Sequence, residues 1–284
     1  MVKSFDEFAH EQVEAIKDPD LIRIAEERGF IIHKPEPPEP IAVLDTSKIR
    51  GNRYRLAVVS DTHFGSKYNQ PTALAEFCRY AVKEKVDAFV HCGDVTDGPW
   101  NRHRNVHEQF IHGVAPQRDY AIEHIPVTGK PWYVISGNHD DWHLSDGVEI
   151  VKDICEARDD MTYLGRSDGY LRLGDALIHL THPNMGGAYA YSYRLQKTIE
   201  SYAPHRRPSV MLMGNFHKTC FVDARNVAAY MLPSFQAQTP WMAGKALPSD
   251  VGGLILEFGS VTKGLAPSIK QEWVAFREPK PEDW

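Results

Sequence analysis

The sequence predicts an α/β fold in which parallel strands deliver polar side chains to one shared edge. Five short apolar runs, 56–59, 88–91, 132–135, 176–180 and 210–213, each end abruptly in polar residues. Such endings mark buried strands whose C-terminal ends build a common pocket. Between the first two runs, Leu74, Phe77, Cys78, Ala81 and Val82 fall at helical spacing within residues 72–85. A helix there is a crossover, which makes the flanking strands parallel. From Leu164 onward the chain breaks into short strands with glycine turns, as a second sheet does.

The first run passes straight into Ser60-Asp61-Thr62-His63. In an extended segment residues i and i+2 point to the same side, so Asp61 and His63 converge as half of a metal site. An isolated Asp-x-His is equally a solvated loop after a strand; recurrence decides for the site. The second run ends in Gly93-Asp94-Val95-Thr96-Asp97 and the third in Gly137-Asn138-His139-Asp140. The fourth ends at His182, and the fifth in Gly214-Asn215-Phe216-His217.

In this order the five motifs resemble the calcineurin-like metallophosphoesterase family, from about Arg55 to about His217. The resemblance implies a four-layer α/β/β/α sandwich of two mixed sheets flanked by helices, with a phosphoesterase site where the sheets meet. Position by position it implies that Asp94 bridges two metal ions. Asp61, His63 and His217 complete the first ion's ligands; Asn138, His182 and residue 215 complete the second's. Two divalent ions about 3.5–4 Å apart activate a water and stabilise an in-line phosphoryl transition state. Carboxylate, imidazole and amide donors without thiolate suit manganese, the expected metal, and also magnesium, iron or zinc. His139 is then a general acid or charge stabiliser beside the leaving oxygen, oriented and kept cationic by Asp97. Asp140 is either part of the site or a loop cap. His179 is the structural neighbour of His182 unless the strand register exchanges them.

One position departs from the family. Its last motif is usually Gly-His-x-His, whereas Asn215 stands at the first histidine here. An amide oxygen binds a transition metal more weakly than imidazole, so Asn215 is expected to be a weak or lost ligand. Three explanations stay open: a natural variant active at high manganese, a natural loss of catalysis, and an engineered substitution that traps substrate.

For the substrate, Tyr189, Tyr191, Tyr193, Arg194 and Lys197 follow the fourth motif, and Gln236, Gln238 and Trp241 follow the fifth. They read either as side chains that stack bases and hold a nucleic-acid backbone, or as a tyrosine-rich helix and a tryptophan of the core. Residues 98–130, with Arg102, His103, Arg104, His107, His112 and Arg118, are either a solvated surface or a phosphate-reading rim. Arg102, Arg104, Tyr191 and Trp241 are the expected substrate contacts. The leading expectation is a phosphodiesterase on nucleic acid, similar to the DNA-repair and proofreading nucleases of the family. The last part, residues 225–254, is also similar to phage-borne members. The alternatives are a phosphatase or phosphodiesterase on a small nucleotide or phosphomonoester, and a catalytically weakened scaffold subunit, for which Asn215 speaks.

Length and composition bound these readings. The 284 residues, 42% hydrophobic and 25% charged, are those of an ordinary globular protein. A net charge of −6 gives no global attraction to polyanions, so any nucleic-acid contact is local. No run approaches the roughly 18 apolar residues that span a bilayer, and the N-terminus has no apolar signal core. Cys78, Cys92, Cys155 and Cys220 lack CxxC spacing, and the first two sit in apolar patterns as reduced core thiols. A cytoplasmic protein without a membrane partner is expected. Residues 4–29 read as two short helices, with Ser4 and Glu7 as a capping box, Asp18-Pro19 as a second start and Gly29 as a stop. Pro35, Pro37, Pro38 and Pro40 favour an extended connector. Residues 1–50 are thus expected to be a helical arm and linker that docks on the catalytic domain, a second subunit or another protein, or that recruits nucleic acid. Residues 51–284 are expected to be the catalytic domain. Nothing in the sequence sets the oligomeric state.

Overall fold

The computed structural model describes residues 23–24, 27–28, 42–45, 53–99, 106–203, 206–259, 268–277 and 283. The chain divides into two compact units, Met1–Pro37 and Pro38–Trp284. Of the first unit, Arg23 and Glu27 form an i,i+4 ion pair of 2.6 Å. Most of the expected arm, the proline connector, Arg102, His103 and Arg104 lie outside the described residues.

The larger unit is built on two six-stranded sheets. In the first, β2 (Arg53–Val59), β3 (Ala88–Cys92), β4 (Trp132–Ser136) and β5 (Met161–Arg166) run parallel. β11 (Gly252–Gly259) pairs antiparallel with β2, and β12 (Ser268–Ala275) antiparallel with β11. The second sheet has the order β1 (Ala42–Val43), β6 (Asp168–Leu173), β7 (Ala176–Thr181), β8 (Val210–Met213), β10 (Val227–Met231), β9 (Cys220–Ala224). Its β7, β8 and β10 are mutually parallel.

Pleat alternation builds the layers. Along β2, Leu56 and Val58 face the second sheet, where they meet Ile178, Leu180, Val210 and Leu212. The intervening Ala57 and Val59 turn to the helices on the outer face. There α1 (Pro71–Lys83) buries Ala73, Leu74, Phe77, Cys78 and Ala81. Pro71 supplies the fixed φ that suits a first helical residue. α2 (Val114–His124) and α4 (Ile150–Glu156) complete that layer through Ala121, Ile150, Val151 and Ile154. On the opposite side α5 (Tyr193–Ser201) sets Leu195 and Ile199 on Met211, Met213, Val227 and Ala229. The chain is therefore an α/β sandwich of two mixed sheets flanked by helices.

Three expectations change. Val82, counted in the buried stripe of α1, is 38% exposed, because it lies one residue past the core-facing line through Leu74, Phe77 and Ala81. Leu164 lies in β5 of the first sheet, and the second sheet resumes only at β6. The connection from β4 runs through α4, and a right-handed helical crossover returns the chain to the same sheet. Ala42–Val43, inside the expected linker, pair with Leu171 and Arg172 of β6, and Leu44 is 1% exposed. Among the described residues no helix is long and apolar enough to cross a membrane.

Candidate metal centre

Beyond Val59, the last residue of β2, the chain leaves the extended conformation. Asp61 and His63 both adopt left-handed backbone, with φ of 53° and 47°. It is therefore two tight reversals, not the alternation of a strand, that bring them together. Main-chain bonds hold the path: Asp61 N to Gly93 O (2.9 Å), His63 N to Asp94 O (3.0 Å) and Phe64 N to Val95 O (2.9 Å). Asp94 (53°), Asn215 (77°) and His217 (51°) repeat the conformation after β3 and β8. Each such residue costs about 1–3 kcal/mol, and a concentration of them marks a place where geometry is bought with stability. Gly93 and Gly137 let these turns close on each other. A Cβ on Gly93 would lie 2.5 Å from His182 Nδ1, and one on Gly137 would collide with Asp94.

The result is three interlocked clusters: Asp61 with His63 and His217, Asp61 with Asp94 and His182, and His63 with Asp97 and His139. Within each, one donor atom per residue lies within 4.8 Å of the others. His217 Nε2 is 3.2 Å from Asp61 Oδ1, and the Nε2 atoms of His63 and His217 face each other at 3.3 Å. Asp94 Oδ2 stands between His182 Nε2 (3.2 Å) and His63 Nε2 (3.6 Å). Supporting bonds fix the tautomers. His182 Nδ1–H donates to Cys92 O (2.7 Å), which turns its Nε2 lone pair inward. His63 Nδ1–H donates likewise to Asp97 Oδ1 (3.1 Å).

These residues fit a divalent metal on their own evidence. His182 Nε2 and Asn138 Oδ1 are buried without a hydrogen-bond partner. The nearest carboxylate to His182 Nε2 is Asp94, at 3.2 Å. Two buried, acceptor-only carboxylates with inward imidazoles form a hard oxygen and nitrogen donor set that asks for a cation. Electrostatics respond accordingly. Burial works against charge on His182, yet Asp94 and Asp61 draw it up to about 10. Burial likewise opposes ionisation of Asp61, and the attraction of His217 and His182 outweighs it, leaving the carboxyl below its usual range. Asp94 is lowered in the same way, by His182 and His139.

His139 opens the short helix α3 (Asn138–Asp141), its N–H donating to Asp94 Oδ1 (2.8 Å). The sequence assigns Asp97 to orient this ring and keep it cationic, and the structure divides that assignment. His139 Nδ1–H donates to the main-chain oxygen of Asp97 (2.8 Å), while the nearer carboxylate oxygen is 3.9 Å away and serves His63. Gln109 holds the other carboxylate oxygen (2.7 Å). Burial, with the His63 charge, pushes His139 down to about 4, so its ring is neutral near pH 7. Asp140 is a loop cap: its carboxylate accepts from Val95 N (3.0 Å), Thr96 N (2.7 Å), Thr96 Oγ1 (2.8 Å) and Gly137 N (2.9 Å). His179 is structural, as expected. It stacks on Tyr170 and bonds Tyr202 and Asp168 on the outer side of the second sheet.

A cleft of about 330 Å³ opens over these groups, lined by His63, Asp94, Asn138, His139, Asn215 and His217. The Asn215 N–H reaches both oxygens of Asp61 (3.1 Å each). Its side-chain Nδ2 donates to Pro183 O (2.8 Å) and Met185 O (3.3 Å). Trp241, at the start of α6 (Pro240–Gly244), lines the cleft with Lys245 4.5 Å above its ring. Tyr189 is fully exposed, and Tyr191 and Tyr193 are about half exposed, so they are surface and not core. Lys218, another cleft residue, sits 4.6 Å above the Tyr191 ring. Gln236 lines the cleft as well, and its side-chain amide bonds Ser66 Oγ (3.0 Å) and Asp97 Oδ1 (3.4 Å). Sequence reasoning missed Gln109, Lys218 and Trp142. Trp142 had a signal: it lies three residues after His139, the spacing that eclipses side chains in a tight helical turn, and their rings meet at 4.0 Å.

The calcineurin-like phosphoesterase family model matches residues 54–218, the span that carries every one of these motifs. The chain belongs to that family and is a metal-dependent phosphoesterase. It is 26% identical over 167 residues to the DNA double-strand break repair protein Mre11 of Sulfurisphaera tokodaii, a match over 55% of this chain and 39% of that protein. The chain thus spans well under half of that relative. Among solved structures, an archaeal phosphodiesterase aligns at TM-score 0.45 and 15% identity, over 78% of this chain and 99% of that one. Vacuolar protein sorting 29 from Cryptosporidium parvum aligns at 0.43 and 11%, over 79% and 100%.

Proposed function

We propose that the protein is a nuclease-type phosphodiesterase that cleaves nucleic acid. Asp61, His63, Asp94 and His217 would hold one divalent ion and Asp94, His182 and Asn138 a second, with manganese the favoured metal. When bound, the pair would supply an activated water and charge neutralisation at the phosphoryl group. The chain's own groups do the rest. His139 keeps its proton on Nδ1 through the Asp97 carbonyl, so the neutral ring offers Nε2 as a proton acceptor, and it can protonate the departing oxygen only after Nε2 has itself taken up a proton. Asp97 acts one step back, by fixing His63. Asn215 serves as a tether for the 183–185 segment more than as a ligand.

The observation that carries the nucleic-acid reading is the rim of the cleft. Trp142, Trp241 and Lys218 line it, and the Lys218 ammonium lies over Tyr191, an aromatic and cationic edge suited to bases and phosphates. The likeness to a DNA-repair protein supports the same substrate. The four free cysteines suit a reducing, cytoplasmic setting. Residues 1–37 are proposed to be a docking arm for a protein partner.

The test is hydrolysis of end-labelled single- and double-stranded DNA and RNA with manganese, beside Asp94→Asn. A product ladder that the variant abolishes supports the reading. Turnover of a small phosphomonoester with no cut in any polymer would move the assignment to a small nucleotide, whose size a 330 Å³ cleft also accommodates.

A further inference from the structure

A second hollow of about 450 Å³ adjoins the first, and Asn138, Trp142 and Asn184 line both. The two spaces are therefore neighbouring lobes with Trp142 between them. His139 lies in the first lobe against Trp142, with ring centroids 4.0 Å apart and planes tilted by 33°. A Cβ on Gly98, the residue after the second motif, would collide with the His139 main-chain oxygen, so this glycine lets the two segments pass close together beside Trp142. Besides Trp142 and Pro99, the second lobe is lined by Ser145, Ser167 and Asp141, the last held by Arg166 Nη2 at 3.1 Å.

We propose that Trp142 is the residue that selects diesters, by stacking the nucleoside on the far side of the scissile phosphate. A phosphate seated beside Asn138 and His139 has one ester group in the first lobe, toward Trp241, and the other over Trp142 into the second. A monoester fills one lobe; a dinucleotide fills both. The polar walls of the second lobe suit a sugar and the indole suits its base. This rests on the phosphodiesterase reading above, and it names a specificity residue that the catalytic assignment does not require.

The test compares wild type, Trp142→Ala and Trp142→Phe on two substrates, the p-nitrophenyl ester of thymidine 5′-phosphate and p-nitrophenyl phosphate. Because Trp142 also braces His139, Trp142→Ala lowers turnover of both. The expected signature is a further drop of about tenfold in kcat/KM on the diester alone, carried by KM, the usual worth of one base stacked on an aromatic ring. Trp142→Phe restores most of it. Equal losses on the two substrates, carried by kcat, would reduce Trp142 to a brace for His139 and overturn the proposal. Binding of thymidylyl-thymidine in EDTA, followed by calorimetry, reads the same contact without catalysis. A loss of affinity of about tenfold in Trp142→Ala supports stacking. Equal affinity, or no binding to wild type, refutes it. An enzyme that binds the dinucleotide through Trp142 but cleaves no diester keeps the stacking contact and overturns the phosphodiesterase reading, and with it the selection of diesters.

Discussion

Replacing Asp140 by asparagine should unhinge the metal loops without changing their shape. The Asp140 carboxylate is 1% exposed and accepts four hydrogen bonds, two at each oxygen. They tie Val95 and Thr96, next to Asp94, to Gly137, next to Asn138. An asparagine can keep its oxygen toward the Thr96 donors, where both bonds survive. Its NH₂ then faces Val95 N and Gly137 N, which become buried donors without an acceptor. Each such group costs about 1–3 kcal/mol, so the two together should cost Asp140→Asn roughly 2–6 kcal/mol. That is a large part of the ~5–15 kcal/mol that holds a typical domain. Urea denaturation followed by circular dichroism, with metal removed from both proteins, measures the difference. A loss below about 1 kcal/mol would mean that water or a loop shift replaces the acceptor, and that Asp140 is not the tie described above.

Three other outcomes are expected. Asn215→Ala should keep the wild-type metal content and raise KM several-fold, because it cuts the bonds to Pro183 and Met185; loss of an ion on elemental analysis would instead make Asn215 a ligand. Deleting residues 1–37 should leave a stable metal-binding unit, whereas deleting 1–50 removes the strand beside β6 and the buried Leu44 and should cost about 2–3 kcal/mol in a melting experiment. Glu257 is hydrogen-bonded by Arg55 Nε (2.7 Å) and sits near Arg53 and Lys270, and the Arg55 bond with these charges holds its carboxyl below the ordinary 4.5. Its stabilisation is complete above pH 4.5 and disappears as pH falls through the folded value. Glu257→Gln should therefore lose about 1 kcal/mol at pH 7 and converge on wild type in acid.

Much of this site is legible in the chain because strand endings are local signals. The runs that become β2, β3, β4, β7 and β8 are short, apolar and cleanly stopped, and their last polar residues supply Asp61, His63, Asp94, Asn138, His182 and His217. What stays hidden depends on backbone detail or on partners far apart in sequence. The left-handed φ at Asp61 and His63 carries no compositional mark, since these are not glycines. The choice of His63 over His139 by the Asp97 carboxylate follows from Gln109 and Gln236 crowding that carboxylate from two other segments. The sequence does not reveal that Leu164 belongs to the first sheet, because alternation marks a strand but not its neighbour. The tyrosines at 189, 191 and 193 read as part of a helix, yet α5 begins only at Tyr193 and buries Leu195 and Ile199 instead.

The central claim is that Asp94 is common to two metal ions in a catalytic centre. Counting manganese per chain by elemental analysis after gel filtration, for wild type and Asp94→Asn, tests it most directly, together with hydrolysis of bis(p-nitrophenyl) phosphate by the same samples. The account predicts two ions in wild type, at most one in the variant, and a fall in kcat of at least about a hundredfold, as expected when a group that organises both ions is lost. Two ions retained in Asp94→Asn at the wild-type rate would contradict it.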